Sequence, residues 1–173
     1  MRNVAVLFIW TCAGLAQSSN PLTDAVMARY KSVRQNLIEA AEAMPEDGYS
    51  FRLTPQQRPF GEWIGHTAMG NYNYCAIIKG EKAPDMHALH ALTGKADLLQ
   101  ALTASFEYCD AALKNIDDQK ALAGFAASDK QLFPVQGMVN LVSSANEHYG
   151  NLVGYLRSKG ITPPSSARAM PKS

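Results

Sequence analysis

Residues 134–158 read PVQGMVNLVSSANEHYGNLVGYLRS and carry a sustained helical pattern. Apolar side chains recur along this segment at steps of three and four: Met138, Leu141, Val142, Ala145, Tyr149, Leu152 and Leu156. This spacing puts them on one face of a helix. Gly160 follows two residues beyond the segment and is a typical helix stop. We therefore predict a long helix over 134–158 that buries one face.

Three earlier segments share this periodicity and predict helices over 22–44, 60–79 and 95–115. The side chain of Asn20 or Thr23 can cap the start of the first helix, because both residue types accept hydrogen bonds from free backbone N–H groups. Each helix has one apolar face that must be covered by another element.

The second predicted helix contains three glycines, Gly61, Gly65 and Gly70, and ends before Gly80. A glycine inside a helix costs about 1 kcal/mol relative to alanine. Such glycines usually mark a place where a neighbouring element approaches closely. Gly80 is the expected C-terminal stop of this helix.

Four helices with one apolar face each predict an all-α fold, a four-helix bundle. No clear alternating run of β-branched residues predicts a strand. Of the connections, 49–59 contains two prolines and reads as extended, and 81–93 reads as a polar linker. The region 116–134 holds at most a short helical turn.

The first 16 residues have the pattern of a secretory signal peptide. One basic residue, Arg2, precedes an uncharged apolar run over 4–16, which ends in small residues and is too short to span a bilayer. The alternative is a buried N-terminal helix. A lipoprotein anchor on Cys12 is disfavoured because bulky residues precede it. The mature chain is then expected to begin near Gln17 and to be secreted or periplasmic.

Composition predicts one globular domain, which we place at 17–164. The 173 residues are 47% apolar and 18% charged, with a formal charge of +1. A charge near zero argues against nucleic-acid binding.

No helix joins a basic face to a strongly apolar one, so we expect no stable membrane insertion after cleavage. The end of the chain, 165–173, follows the Pro163–Pro164 pair and is predicted to be a disordered tail.

Cleavage of the leader would remove Cys12 and leave Cys75 and Cys109 as a potential pair. They lie at equivalent heights on the second and third helices if these run parallel. If the helices run antiparallel, the cysteines are roughly 10–20 Å apart and cannot be bridged. A disulfide and two buried free thiols are both consistent with the sequence.

Histidine is the residue type with the strongest chemical signal, because inward-facing histidines on different helices are how bundles build metal sites. His66 and His148 occupy mid-helix positions on the second and fourth helices. The alternative is that each is a hydrogen-bonded core histidine. His87 and His90 have ligand-like spacing but sit in the polar linker, where a solvated loop is favoured.

Three blocks of sequence together resemble one known family. They are MPEDGYSFR at 44–52, RPFGEWIGH at 58–66 and NEHYGNLV at 146–153, the last followed by YLR and KGI. In this combination the chain resembles the DinB-like family in a secreted bacterial form, over most of its length from 22 to 164.

The resemblance implies a four-helix bundle with long crossover connections, commonly assembled as a homodimer. It also implies a three-histidine metal site: one ligand on the second helix and two on the fourth helix, four residues apart. His66 and His148 match two of these positions, and Ser144 occupies the third. Relatives of known chemistry are metal-dependent thiol transferases or isomerases, so the resemblance implies a small-molecule thiol or another small ligand.

The serine changes what can be expected of the site. Two imidazoles and a neutral hydroxyl bind a divalent ion such as zinc, nickel or iron poorly, since catalytic zinc sites usually have three protein ligands. Asn73 or Glu147 could compensate. The sequence leaves open a weak metal site with catalytic activity and a non-catalytic binding or structural module without metal, and it assigns no catalytic residue.

Overall fold

The structure, a computed structural model, describes residues 18–170 and is dominated by four long helices. The helices in chain order are α1 (Pro21–Ala43), α2 (Phe60–Lys79), α3 (Lys95–Leu113), α4 (Asp118–Leu122), α5 (Pro134–Ser158) and α6 (Pro164–Ala169). Short 3-10 helices cover Glu46–Ser50 and His87–Ala91. The predicted four-helix bundle is confirmed, with α1, α2, α3 and α5 as its members.

The periodic stripes locate the long helices closely. The helices predicted over 60–79 and 134–158 have these bounds, and the third ends at Leu113, two residues earlier than expected. Gly80 and Gly160 follow α2 and α5 with φ of 69° and 73°. Only glycine adopts this left-handed backbone readily, which explains why both helices stop there.

Helices α2 and α3 run parallel, and α5 runs antiparallel to α2. Cys75 faces Cys109 and Asn71 faces Ser105, so positions advance together along α2 and α3. The connection 80–94 must therefore return along the bundle, which is the expected long crossover. On the other side of α2, Trp63 meets Tyr155 and Thr67 meets His148, so positions advance in opposite directions along α2 and α5.

The core lies between the four long helices. Its largest fully buried side chains are Tyr30, Leu37, Met44, Phe60, Ile64, Leu98, Leu102, Phe106, Met138, Leu141, Leu152 and Tyr155. Two of the three α2 glycines sit where α3 comes close. A Cβ at Gly61 or Gly65 would lie 3.0 or 3.2 Å from the Leu98 side chain. Close packing therefore explains why these positions lack a side chain.

The start of α1 is capped from a distance, which corrects the predicted cap. Neither Asn20 nor Thr23 caps the helix with its own side chain. The Asp118 carboxylate instead accepts hydrogen bonds from the N–H groups of Leu22 and Thr23, at 3.1 and 2.8 Å. The Asn20 side chain accepts one from the Asp118 N–H at 3.2 Å. The first turns of α1 and α4 are thus tied together.

The region 116–134 holds more structure than the sequence predicts. After α4, the strands β1 (Phe125–Ala127) and β2 (Lys130–Leu132) form an antiparallel hairpin. Three-residue strands are too short for an alternating pattern to be detected. The expectation of no strand was therefore wrong here.

The C-terminal end of the described chain is helical, and the predicted N-terminal leader lies outside the described residues. The signal peptide predicted for residues 1–16 lies outside the described residues, as do 171–173. The predicted disorder of the tail is wrong for 165–169, which belong to α6. Tyr149 donates to the Ser165 hydroxyl at 2.8 Å, and Arg168 pairs with Glu39 on α1. Across residues 18–170, no helix has the length and apolar character to cross a membrane.

A two-histidine candidate site between α2 and α5

The structure brings together the three residues predicted for the site. His66 on α2 and His148 on α5 have ring centroids 5.1 Å apart. The Ser144 hydroxyl lies one helical turn from His148, with Oγ 3.4 Å from Nε2. His148 is only 5% exposed, whereas His66 and Ser144 are half-buried. The antiparallel packing of α2 against α5 produces this arrangement, because its register sets residues 63–67 of α2 opposite residues 148–155 of α5.

Thr67 is a fourth member of the site that the sequence reasoning missed. Its hydroxyl oxygen lies 3.1 Å from Nδ1 of His148 and donates to the Trp63 carbonyl at 2.7 Å. A hydroxyl has one hydrogen, so Thr67 must accept from His148, and Nδ1 carries the proton. Nε2 then presents its lone pair toward Ser144. No signal in the sequence marks Thr67, because a threonine on a helix is recognised as a histidine partner only once the packing of the helices is known.

Trp63 forms an aromatic wall beside both histidines. Its ring centroid lies 5.3 Å from that of His148 and 6.2 Å from that of His66. The indole N–H donates to the Tyr155 hydroxyl at 3.2 Å, and that hydroxyl donates to the Arg58 carbonyl. The buried Tyr155 therefore holds both Trp63 and the start of α2 in position.

Both histidines are held in their neutral form. Burial lowers the pKa of His148 to about 4, with smaller contributions from the charges of His66 and Arg58. Burial also lowers the pKa of His66, as does Arg58, while Glu62 and Glu147 act in the opposite direction. Neutral imidazole is the form that coordinates a metal or accepts a hydrogen bond from a ligand.

The other residues considered from the sequence do not join this cluster. Asn73 and Glu147 are exposed. His87 is exposed in the 3-10 helix of the crossover, where its backbone N–H bonds to Asp85. His90, also exposed, lines a cavity that reaches His66. Cys75 and Cys109 form a disulfide with Cα atoms 5.2 Å apart, so of the two states left open by the sequence the structure has the bonded one.

The donor set does not fit a tightly held catalytic ion. It offers two imidazole nitrogens and one neutral hydroxyl, where a catalytic zinc site usually has three strong protein ligands. Within residues 18–170, no three His, Cys, Asp or Glu side chains are grouped to hold a metal ion. Both ring nitrogens of His148 also have hydroxyl partners.

A cavity of about 600 Å³ opens beside His66. It lies between the first half of α2, the connection from α1 and the 3-10 helix of the crossover. The residues that line it include Arg52, Arg58, Glu62, His66 and Leu89 from these three elements, together with Leu92 of the crossover and Leu98 of α3. Its volume is in the range of small-molecule sites, about 300–1,000 Å³. This cavity could not be predicted from the sequence, because the crossover and the α1–α2 connection meet only in the folded chain.

Thr67 gives a first testable prediction. Thr67→Val leaves the buried Nδ1–H of His148 without its acceptor, and an unsatisfied buried polar group costs about 1–3 kcal/mol. We expect a loss of that size in the free energy of unfolding, measured by urea denaturation. Thr67→Ser keeps the hydroxyl and is expected to retain most of the stability. Equal losses in both variants would mean that the Thr67 methyl group matters and the hydrogen bond does not.

Comparison with known proteins places this helical bundle among proteins of one superfamily. A DinB-like protein from Bacillus cereus superposes with a TM-score of 0.67 at 12% identity, covering 82% of this chain and 95% of the other. A DinB-like protein from Bacillus subtilis gives 0.64 at 20% identity, covering 80% and 93%. At these identities the likeness is one of fold, and no curated protein matches the chain. The sequence model of the DinB superfamily matches residues 29–148. The chain therefore belongs to the DinB superfamily.

Proposed function

We propose that this protein binds a small molecule in the cavity beside His66 and that the His66–His148 pair holds divalent metal ions only weakly. The observation that carries the proposal is the cavity of about 600 Å³ that opens onto His66. Concave sites of this size with a few converging polar groups are the usual form of ligand pockets. His66 lines this space and supplies an imidazole as a hydrogen-bonding group, and His148 lies buried behind it.

The weak metal affinity follows from Ser144. In the family pattern a third histidine stands at this position, and here a hydroxyl lies 3.4 Å from Nε2 of His148. A neutral hydroxyl is a much poorer ligand than an imidazole for zinc, nickel or iron. A thiol ligand, as in the metal-dependent transferases that the sequence resembles, would need to complete the coordination itself. The alternative is a non-catalytic binding module that holds no metal, and the hydroxyl partners of both His148 nitrogens favour it.

The disulfide supports a secreted or periplasmic location. Disulfides persist in oxidising compartments and are rare in the cytosol. The Cys75–Cys109 bond joins two fully buried positions in the bundle. Together with the leader-like residues 1–16 it favours export of the chain.

Ser144→His tests where the site lies and why its affinity is low. The substitution adds an imidazole one helical turn from His148, and we expect zinc affinity to rise by at least about tenfold, measured by isothermal titration calorimetry. Ser143→His is the matched control, because Ser143 is the exposed neighbour of Ser144. A further His66→Ala change should remove the gain.

Two results would contradict the proposal. Tight, stoichiometric zinc binding by the wild-type protein, lost in His66→Ala, would show that two imidazoles and Ser144 suffice. No gain in Ser144→His over Ser143→His would show that position 144 does not face the metal-binding space.

A further inference from the structure

The cavity beside His66 combines an apolar interior with a charged rim. Its apolar surface comes from Pro59, Met69, Leu89, Leu92 and Leu98. Two arginines and one glutamate, Arg52, Arg58 and Glu62, carry the formal charges among its lining residues. Counting these formally charged groups, the lining has one more positive than negative charge. Such a surface favours a ligand with an apolar body and a negative end.

Arg58 is fixed in place with hydrogen-bonding capacity left over. Its Nε lies 3.0 Å from a Glu62 carboxylate oxygen, and its guanidinium sits 5.1 Å from the centre of the Trp63 ring. Among residues 18–170, its two terminal nitrogens have no hydrogen-bond partner. Arginine presents five donors in a planar fork that matches a carboxylate, so Glu62 leaves one edge available.

Arg52 stands on the same cavity as a second cation. One of its terminal nitrogens donates to the Gln57 carbonyl, which holds the guanidinium within the α1–α2 connection. In the described part of the chain it has no carboxylate partner. Its positive charge is therefore not neutralised by an ion pair.

From this arrangement we infer that the cavity binds a small amphipathic carboxylate, with its acid group at Arg52 and Arg58 and its apolar part against Leu92 and Leu98. The inference rests on the proposed small-molecule function and adds the ligand's chemical class. A cationic ligand would face two guanidinium groups, while the one carboxylate on the rim is already paired with Arg58. A neutral apolar ligand would gain the same apolar contacts without the ionic ones.

The test compares octanoate, octanol and octylamine, which share one alkyl chain and differ in the charge of the head group. Binding is followed by isothermal titration calorimetry and by the fluorescence of Trp63, which lies under Arg58. We expect octanoate to bind about tenfold more tightly than octanol, since hydrogen bonds to ionised groups are stronger than those between neutral groups and solvent exposure reduces the difference. Octylamine should bind most weakly.

Two variants test the arginines, one by weakening octanoate binding and the other by strengthening it. Arg52→Gln/Arg58→Gln should reduce octanoate binding to the level of octanol, whereas Arg157→Gln, an exposed arginine elsewhere, should leave it unchanged. Glu62→Gln should tighten octanoate binding, because the carboxylate that competes for Arg58 is removed. This gain cannot arise from damage to the fold.

The outcomes separate the inference from the proposed function. One outcome is that octanol binds as tightly as octanoate while the arginine and glutamate variants leave octanoate affinity unchanged. In that case the cavity is a ligand site but the carboxylate assignment is wrong. If none of the three probes binds at millimolar concentration, the proposed small-molecule function fails together with the inference.

Discussion

Replacing Cys75 and Cys109 with alanine is expected to lower the free energy of unfolding by about 4 kcal/mol. The disulfide closes a loop with a sequence separation of 34 residues that contains the whole crossover between α2 and α3. Such a crosslink limits the conformations of the unfolded chain, and for a loop of this length the effect is about 3–4 kcal/mol. Guanidinium denaturation of the oxidised wild-type protein and the double variant measures the difference.

Reduction of the wild-type protein provides the matched control. Both sulfur atoms then remain in the core, so the loss measured with reductant comes from the crosslink alone. Any further loss in the double variant comes from the space left by the sulfur atoms, because both cysteines are fully buried. Reductant should have little effect on the double variant. A wild-type protein equally stable in both redox states would contradict the prediction.

The sequence located the helices because their signals are local. The stripes of α2 and α5 and the glycines that end them lie within or beside each segment, so 60–79 and 134–158 could be predicted without knowing the fold. The hydrogen bonds that cap α1 could not be predicted in this way. Asp118, which accepts them, is 95 residues from Thr23 and becomes a neighbour only through the packing of α4.

In the candidate site, too, some residues could be predicted from the sequence and others depend on how the helices pack. His66, His148 and Ser144 were found from residue type and family pattern, and the structure brings them together. Thr67 was missed because a threonine on a helix has no chemical signature until its partner is known. The sequence could not decide between a disulfide and two free thiols for a related reason: the answer depends on whether α2 and α3 run parallel.

Acidification is expected to destabilise this protein through His148. The pKa of this histidine is lowered to about 4 in the fold, against an ordinary value of 6.5, chiefly because the side chain is buried. Between these two pH values the unfolded chain binds a proton that the folded chain does not. Stability therefore rises with pH in this window, is complete above about pH 6.5, and is lost as the pH falls toward about 4.

The pKa difference corresponds to about 3 kcal/mol of stability, lost between neutral pH and about pH 4. Carboxylates also titrate in this range, so the informative quantity is the difference from a variant that lacks the histidine. His148→Gln keeps an amide that can reach Thr67 and Ser144 but takes up no proton. Its stability, measured by urea denaturation at several pH values, should fall less steeply than that of the wild-type protein.

His66→Gln separates the causes of this pKa shift. The charge of His66 contributes to the lowered pKa of His148, after burial. Removing His66 should therefore raise the pKa of His148 in the fold modestly, so that the loss of stability still begins near pH 6.5 but is smaller and ends at a higher pH. Most of the loss should persist because burial remains. If His148→Gln and the wild-type protein lose stability in parallel down to pH 4, His148 is protonated as readily in the fold as in the unfolded chain. The neutral, hydroxyl-bonded imidazole on which the proposed site depends would then be wrong.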